Sequence, residues 1–188
     1  MIFKIIKFLV MVFVRAVFFV KKENYENLPK DGAVILAVNH TSLWDAPIIL
    51  TSVKRYMRTM GKKELFAHQP LRYILTISGT IPVDRGKADI GAIKSALKTL
   101  KDGHVFTIFP SGTRVKDGEA DAKSGVALIA SKSGAPVVPC KISGGYKLFR
   151  RVTVRFGEKM YFESENKKPT ADELKAFADK VMKKIEVM

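Results

Sequence analysis

The segment NHTSLWD (39–45) holds two ionisable side chains, His40 and Asp45, five positions apart, directly after the apolar run AVILAV (33–38). A run of that length and composition reads as a fully buried strand. The pair therefore sits just past a strand end, where the chain can turn into a helix. In such a turn Asp45 can accept a hydrogen bond from one ring nitrogen of His40. That bond would fix the tautomer and leave the other nitrogen free to take a proton. No side-chain nucleophile accompanies this orienter and base. Ser42 lies between them without the glycine-bounded elbow that exposes a catalytic serine. The nucleophile can instead come from the substrate, as an alcohol that His40 deprotonates while it attacks. The competing reading is a structural histidine beside an acid that starts a helix.

Two further stretches carry chemistry. GTIPVDR (79–85) ends in Arg85 and FPSGTR (109–114) ends in Arg114. An arginine fork donates two parallel hydrogen bonds to a phosphate. Gly112 lets the backbone of Ser111 to Thr113 come close to an anion. Taken singly, each arginine is an ordinary surface charge in so basic a chain. Taken together, and beside the membrane helix read below from residues 1–22, a base, its orienter and two phosphate-facing arginines describe transfer to the hydroxyl of a phosphate-bearing lipid.

The elements that must position these loops follow from the rest of the chain. Its 188 residues suggest one domain with room for a sizeable core. Lys and Arg number 33 against 18 Asp and Glu, a net charge of +15. That excess implies an anionic partner: nucleic acid, lipid headgroups or a phosphorylated substrate. The single cysteine, Cys140, cannot form an internal disulfide, and in VVPC it reads as a small buried hydrophobe rather than a nucleophile.

The N-terminus separates these partners. MIFKIIKFLVMVFVRAVFFV (1–20) is as apolar as a membrane span but is broken by Lys4, Lys7 and Arg15, with Lys22 following. At about 100° per residue these four bases share one stripe less than about 90° wide. A mostly apolar helix with one cationic stripe suits the plane of a membrane interface, with Lys4, Lys7, Arg15 and Lys22 at the headgroups. Three readings compete. A signal peptide lacks its cleavage site here. A transmembrane helix would place Arg15 deep, at about 3 kcal/mol. The third is a helix packed on the protein's own core.

After this segment (1–22), residues 23–188 form one unit. Strands are expected at AVILAV, RYMRTM (55–60), TIPV (80–83), HVFTIF (104–109), PVVPC (136–140) and RRVTVRF (150–156), the last with one basic face. Helices are expected from Asp45 to Val53, over most of Glu64 to Ser78, and over 87–103, 122–134 and 170–188. The last opens on Thr170 with Glu173 three residues on, a capping box. The alternation predicts an α/β fold: a central mixed, largely parallel sheet flanked by helices, preceded by an N-terminal amphipathic membrane helix. Ligand sites in such sheets form beyond the carboxyl ends of strands. NHTSLWD, GTIPVDR and FPSGTR all fall there.

With these stretches in hand, the sequence resembles the lysophosphatidic acid acyltransferases of the glycerolipid acyltransferase family, from about Glu26 to Pro139. ENLPKDGAVILAVNHTSLWD matches the family's first block, His-x4-Asp. GTIPVDR, FPSGTR and APVVP (135–139) match the next three in order. The resemblance implies a monotopic enzyme at the cytoplasmic face of the cell membrane. It would move a fatty acyl group from acyl-CoA or acyl-acyl carrier protein to the 2-hydroxyl of lysophosphatidic acid, making phosphatidic acid for phospholipid biosynthesis. By the same resemblance His40 is the general base and Asp45 its partner. Arg85, Gly112, Thr113 and Arg114 bind the acceptor, with Lys123 of a Lys-x-Gly pattern as a further candidate. Neither a metal, a cofactor nor an acyl-enzyme is implied. The chain departs from the pattern at Ser111, where the family usually has glutamate. That position joins the acceptor site and opens three readings: another acceptor, an impaired variant, or an introduced substitution.

Rival functions remain at this stage. A related acyltransferase could take another lysolipid or glycerol phosphate, and a hydrolase would use water in place of the alcohol. Nucleic-acid binding fits the charge but no recognised module is present, and the apolar first helix speaks against it. A silent membrane scaffold is the fourth. The basic clusters at 54–63 and 141–160 fit anionic lipid, an acidic carrier protein, coenzyme A phosphates or plain solvent.

Overall fold

The computed structural model describes residues 2–84, 89–114, 123–164, 166 and 168–188, with the side chains of residues 2–4, 6 and 7 outside that description. Seven strands form one sheet: β1 (Phe19–Glu23), β2 (Val34–Val38), β3 (Met57–Lys62), β4 (Thr80–Val83), β5 (Val105–Ile108), β6 (Val137–Gly144) and β7 (Arg151–Phe156). Their spatial order is β1-β7-β6-β2-β5-β3-β4. Neighbours are parallel except β6 and β7, which are antiparallel. The α/β class and the mixed, mostly parallel sheet are as expected.

Helices cover both faces. α4 (Ile90–Lys101), α5 (Gly125–Ser133) and α6 (Ala171–Glu186) bury Ala96, Leu100, Ile129 and Val181 against Ile35, Ala37 and Phe106. α1 (Ile2–Val17) and α2 (Asp45–Ser52) bury Val14, Ile48 and Ile49 against Val34, Leu36 and Val38. A short α3 (Leu71–Ile77) leads into β4. Because β2 is central, its successive residues feed two different cores, and every one of them is buried. This is why AVILAV runs continuously apolar rather than alternating.

The N-terminal segment needs correction. The helix expected to continue to residue 22 stops at Val17. Residues 19–23 pair as a parallel strand with β7, from Phe19↔Arg151 to Glu23↔Arg155. The partner strand lies far along the chain, and Glu23 Oε2 accepts from Arg155 Nε and Nη2, each at 2.8 Å. Helical periodicity cannot register such a long-range pairing, so Lys22 belongs to a strand and not to the helical stripe. The side chains of Lys4 and Lys7 lie outside the described residues. Arg15 and Lys22 are still neighbours: the Lys22 ammonium is depressed by burial, then by Arg15 and Lys54, and sits 5.2 Å from the Tyr25 ring centre.

α1 itself has two apolar faces. Val10, Val14 and Val17 pack on the core. Ile5, Phe8, Leu9, Val12 and Phe13 are each at least half exposed. The helix therefore packs on its own domain and presents a second apolar face outward. No helix among the described residues is long and apolar enough to cross a membrane.

Candidate active site

The site begins where the β2 ladder ends. Beyond the Val38↔Cys140 pair, the Asn39 side chain takes over from the backbone. Its Nδ2 donates to Ile142 O at 2.9 Å and its Oδ1 accepts from Ile142 N at 2.7 Å. This buried bridge fixes the chain one residue before His40. The following turn closes when Asp45 N donates to Ser42 O, and α2 starts at Asp45.

His40 Nδ1 and Asp45 Oδ2 are 2.9 Å apart. The same oxygen accepts the Thr41 and Ser42 backbone N–H groups, each at 2.8 Å. Asp45 Oδ1 accepts from the Tyr146 hydroxyl at 2.5 Å, and that hydroxyl lies 3.1 Å from Thr41 Oγ1. Asp45 is fully buried, while the His40 side chain keeps 13% of its surface open. A buried carboxylate needs such donors to stay charged. With Asp45 acceptor-only, Nδ1 is the donor and Nε2 is left as the proton acceptor. The His40 ring stacks on Phe109, centroids 4.2 Å apart and planes 24° apart, which holds its orientation.

Phe109 also opens the second loop. Gly112 N donates to Phe109 O at 2.9 Å, and the Ser111 hydroxyl donates to Thr113 O at 2.7 Å. Ser111 is buried, whereas Thr113 and Arg114 are exposed. Gly112 adopts φ +71°, and Lys123 passes so close that a Cβ at position 112 would sit 2.9 Å from Lys123 Cδ. Lys123 N in turn donates to Pro110 O at 2.9 Å. Gly112 and Lys123 thus meet on the loop whose Phe109 stacks on His40, and Thr113 and Arg114 follow along that loop with exposed side chains. Arg85 lies outside the described residues. Its flank is described: Asp89 accepts from Asp84 N and Ala92 N, and these bonds hold its carboxyl below the usual carboxylate range.

A cavity of about 320 Å³ is lined by Val83 and Asp84 from the β4 exit, Phe109 and Gly112 from the β5 exit, and Lys123; His40 and Asp45 do not line it, and Phe109, which stacks on His40, links the two. Its remaining wall is mostly apolar, including Met60, Leu128 and Ile129. The region thus holds an oriented base and, across the Phe109 ring, an apolar recess with the Gly112 loop and Lys123. That set can deprotonate an alcohol, hold an anion and accommodate an alkyl chain. Burial pushes the Cys140 thiol far up, so it is a core side chain. Two of the bases grouped in 141–160 have partners within the chain: Arg155 binds Glu23, and Lys141 Nζ donates to Glu186 O at 2.6 Å.

Sequence reasoning missed Tyr146, Phe109 and the Asn39 bridge. Tyr146 meets Asp45 across 101 residues, which no local spacing reveals. The only cue was a tyrosine after paired glycines at the end of a strand.

The chain is 31% identical over 172 residues to the 1-acyl-sn-glycerol-3-phosphate acyltransferase of Bacillus subtilis, covering 88% of this chain and 86% of that protein. The enzyme of that name from Streptococcus pneumoniae is 31% identical over 144 residues, 71% of this chain and 53% of its own length. The crystal structure of the 1-acyl-sn-glycerophosphate (LPA) acyltransferase PlsC from Thermotoga maritima matches with a TM-score of 0.72 at 27% identity. That match covers 97% of this chain and 77% of the other. Residues 19–143, which contain His40, Asp45, both loops and Lys123, match the family model described as Acyltransferase, and the chain is an acyltransferase belonging to that family.

Proposed function

We propose that the protein transfers a fatty acyl group from an acyl thioester to the 2-hydroxyl of lysophosphatidic acid, forming phosphatidic acid. The observation that carries this reading is the 2.9 Å His40–Asp45 contact, with Nε2 left to accept a proton beside an anion-suited loop. His40 Nε2 takes the hydroxyl proton as the oxygen attacks the thioester carbonyl. Backbone N–H groups stabilise the oxyanion, the C–S bond breaks, and the proton returns to the departing thiolate. Arg85, Arg114, Lys123 and the Ser111–Thr113 backbone bind the glycerol phosphate. Coenzyme A or acyl carrier protein brings the acyl group, and the step needs neither metal nor cofactor.

Membrane attachment belongs to the same proposal. The outward face of α1, with Phe8, Val12 and Phe13 exposed, suits the interface of a bilayer, and Arg15 supplies a cation for its headgroups. We place this contact at the cytoplasmic face, where the acyl donors are made.

A second reading, another lysolipid or glycerol phosphate as acceptor, is favoured by Ser111. Its hydroxyl is committed to Thr113 O, so no carboxylate stands at that point of the loop.

The test is transfer of labelled palmitate from palmitoyl-CoA and from palmitoyl-carrier protein to lysophosphatidic acid, for the protein and for His40→Ala, Asp45→Asn and Ser111→Glu. Phosphatidic acid from the protein but not from His40→Ala supports the reading. Full activity in His40→Ala removes the base assignment. Product from another lysolipid, with none from lysophosphatidic acid, moves the acceptor to the second reading.

A further inference from the structure

The connection from β6 to β7 ends in a turn, Lys147–Leu148–Phe149–Arg150, closed by Arg150 N donating to Lys147 O at 3.1 Å. Leu148 and Phe149 stand at its tip, each 67% exposed. Phe149 has φ +59° at the third turn position, where glycine or asparagine is the usual occupant. A bulky side chain there is strained, and so exposed a one recovers little of that cost by burial. Lys147, Arg150 and Arg151 flank the tip, and no acidic residue occurs between Ser143 and Phe156.

The tip is not isolated. Phe149 N donates to Val17 O at 2.7 Å, at the carboxyl end of α1, and Phe19 N donates to Arg150 O at 3.1 Å. Phe19 is itself 63% exposed. Leu148, Phe149 and Phe19 therefore stand exposed at the carboxyl end of α1, whose outward face is apolar, and the same loop carries Tyr146 to Asp45. Two apolar side chains ringed by cations suit insertion among anionic headgroups. A two-residue tip is far too small for a stable protein interface, which buries on the order of 1,000 Å².

We propose that the 147–151 turn is a second membrane-contact element, a wedge that enters an anionic lipid surface and seats the bilayer beside His40. The proposal rests on the reading of α1 as a membrane-facing helix and adds a separate element to it. Substrate lipids would then meet the site at its edge.

The test uses the whole chain. Phe149→Cys carries an environment-sensitive dye, which the buried Cys140 does not take up. Vesicles of phosphatidylcholine with one-quarter phosphatidylglycerol should shift its emission to the blue, with a smaller effect from pure phosphatidylcholine. The dye at exposed Lys183→Cys should stay unshifted. An equal shift there would mean adsorption by net charge and would overturn the proposal. A shift on concentrating the protein without lipid would assign the tip to a second copy and do the same.

The double variant Leu148→Ser with Phe149→Asn should bind these vesicles at least about tenfold more weakly. It should melt no lower than the parent, because asparagine tolerates the left-handed backbone. Transfer to a short-chain, water-soluble acceptor should be unchanged. Unaltered vesicle binding in the double variant, with binding lost in Phe8→Ser, would remove the wedge and leave the α1 reading standing. No vesicle binding by the parent would remove both.

Discussion

The hydroxyl of Tyr146 donates to Oδ1 of Asp45 at 2.5 Å, on the side of the carboxylate opposite His40. Oδ2 is occupied by His40 and two backbone N–H groups, so Tyr146 balances the other oxygen of a fully buried charge. Tyr146→Phe keeps the ring packing and removes that donor. Asp45 then keeps its three contacts on Oδ2 but loses the donor on Oδ1, and the hold on the tautomer and angle of His40 loosens. We expect kcat to fall about tenfold, equivalent to about 1.4 kcal/mol of transition-state stabilisation, with KM for both substrates nearly unchanged. Steady-state kinetics and the melting temperature check this. An equal loss through thermal destabilisation alone would make Tyr146 a packing residue.

Gly112 is held at φ +71° with the Lys123 side chain lying across it. Alanine there is strained by about 1 kcal/mol in the backbone and displaces Lys123 as well. Gly112→Ala should raise KM for the phosphate-bearing acceptor about tenfold and change kcat less. Lys123→Met should act in the same direction. If both work through the ammonium position, the double variant will be little worse than Lys123→Met alone. Full additivity in that cycle would separate the two residues.

What could be read from the sequence depended on how far apart the partners lie. His40 and Asp45 meet within a single turn, so their spacing predicts their contact. The same holds for Thr170 and Glu173, whose reciprocal capping box forms at the start of α6. AVILAV announced a strand buried on both faces because its composition reports both cores at once. β1 was illegible: five residues following an apolar helix become a strand only by pairing with β7, and Glu23 finds Arg155 across 132 residues. The basic face expected of RRVTVRF is present, with Arg151 and Arg155 opposite buried Val152, Val154 and Phe156; what the sequence could not show is that Arg155 pairs with Glu23. Tyr146 could not be assigned to the base, because only the sheet order brings the end of β6 beside the end of β2.

Cys140 offers a check that no thiol chemistry is involved. It is fully buried, and its ionisation is pushed well above the ordinary 9.0 by desolvation. Thiol reagents should leave the folded enzyme active. The sign of the pH effect follows from the raised value. Keeping the thiol neutral costs nothing below the unfolded value of 9.0. Above it the unfolded chain ionises and the folded chain does not, so stability falls by up to about 1.4 kcal/mol per pH unit. Urea unfolding at pH 8 and pH 10 should show this loss in the parent, and a shallower loss in Cys140→Ala. Equal slopes in the two proteins would mean that the thiol is not kept neutral by the fold.

Asn39 extends the β2–β6 pairing by one side chain and thereby sets where His40 begins its turn. Asn39→Ala would orphan both Ile142 N–H and Ile142 C=O in a buried setting. Each lost partner costs about 1–3 kcal/mol, so the variant should be destabilised by about 2–6 kcal/mol. For a chain of this size the melting temperature should drop by about 8 °C. Asn39→Asp keeps the acceptor for Ile142 N–H but turns a carboxylate toward Ile142 O. It should be at least as damaging at neutral pH and should partly recover under acid conditions, where a protonated carboxyl can donate. Because Tyr146 follows Ile142 by four residues, both variants should also lose activity at temperatures where they remain folded. Calorimetry and kinetics on the same samples would show whether stability and turnover fall together, and a destabilised Asn39→Ala with full kcat would detach the bridge from the site.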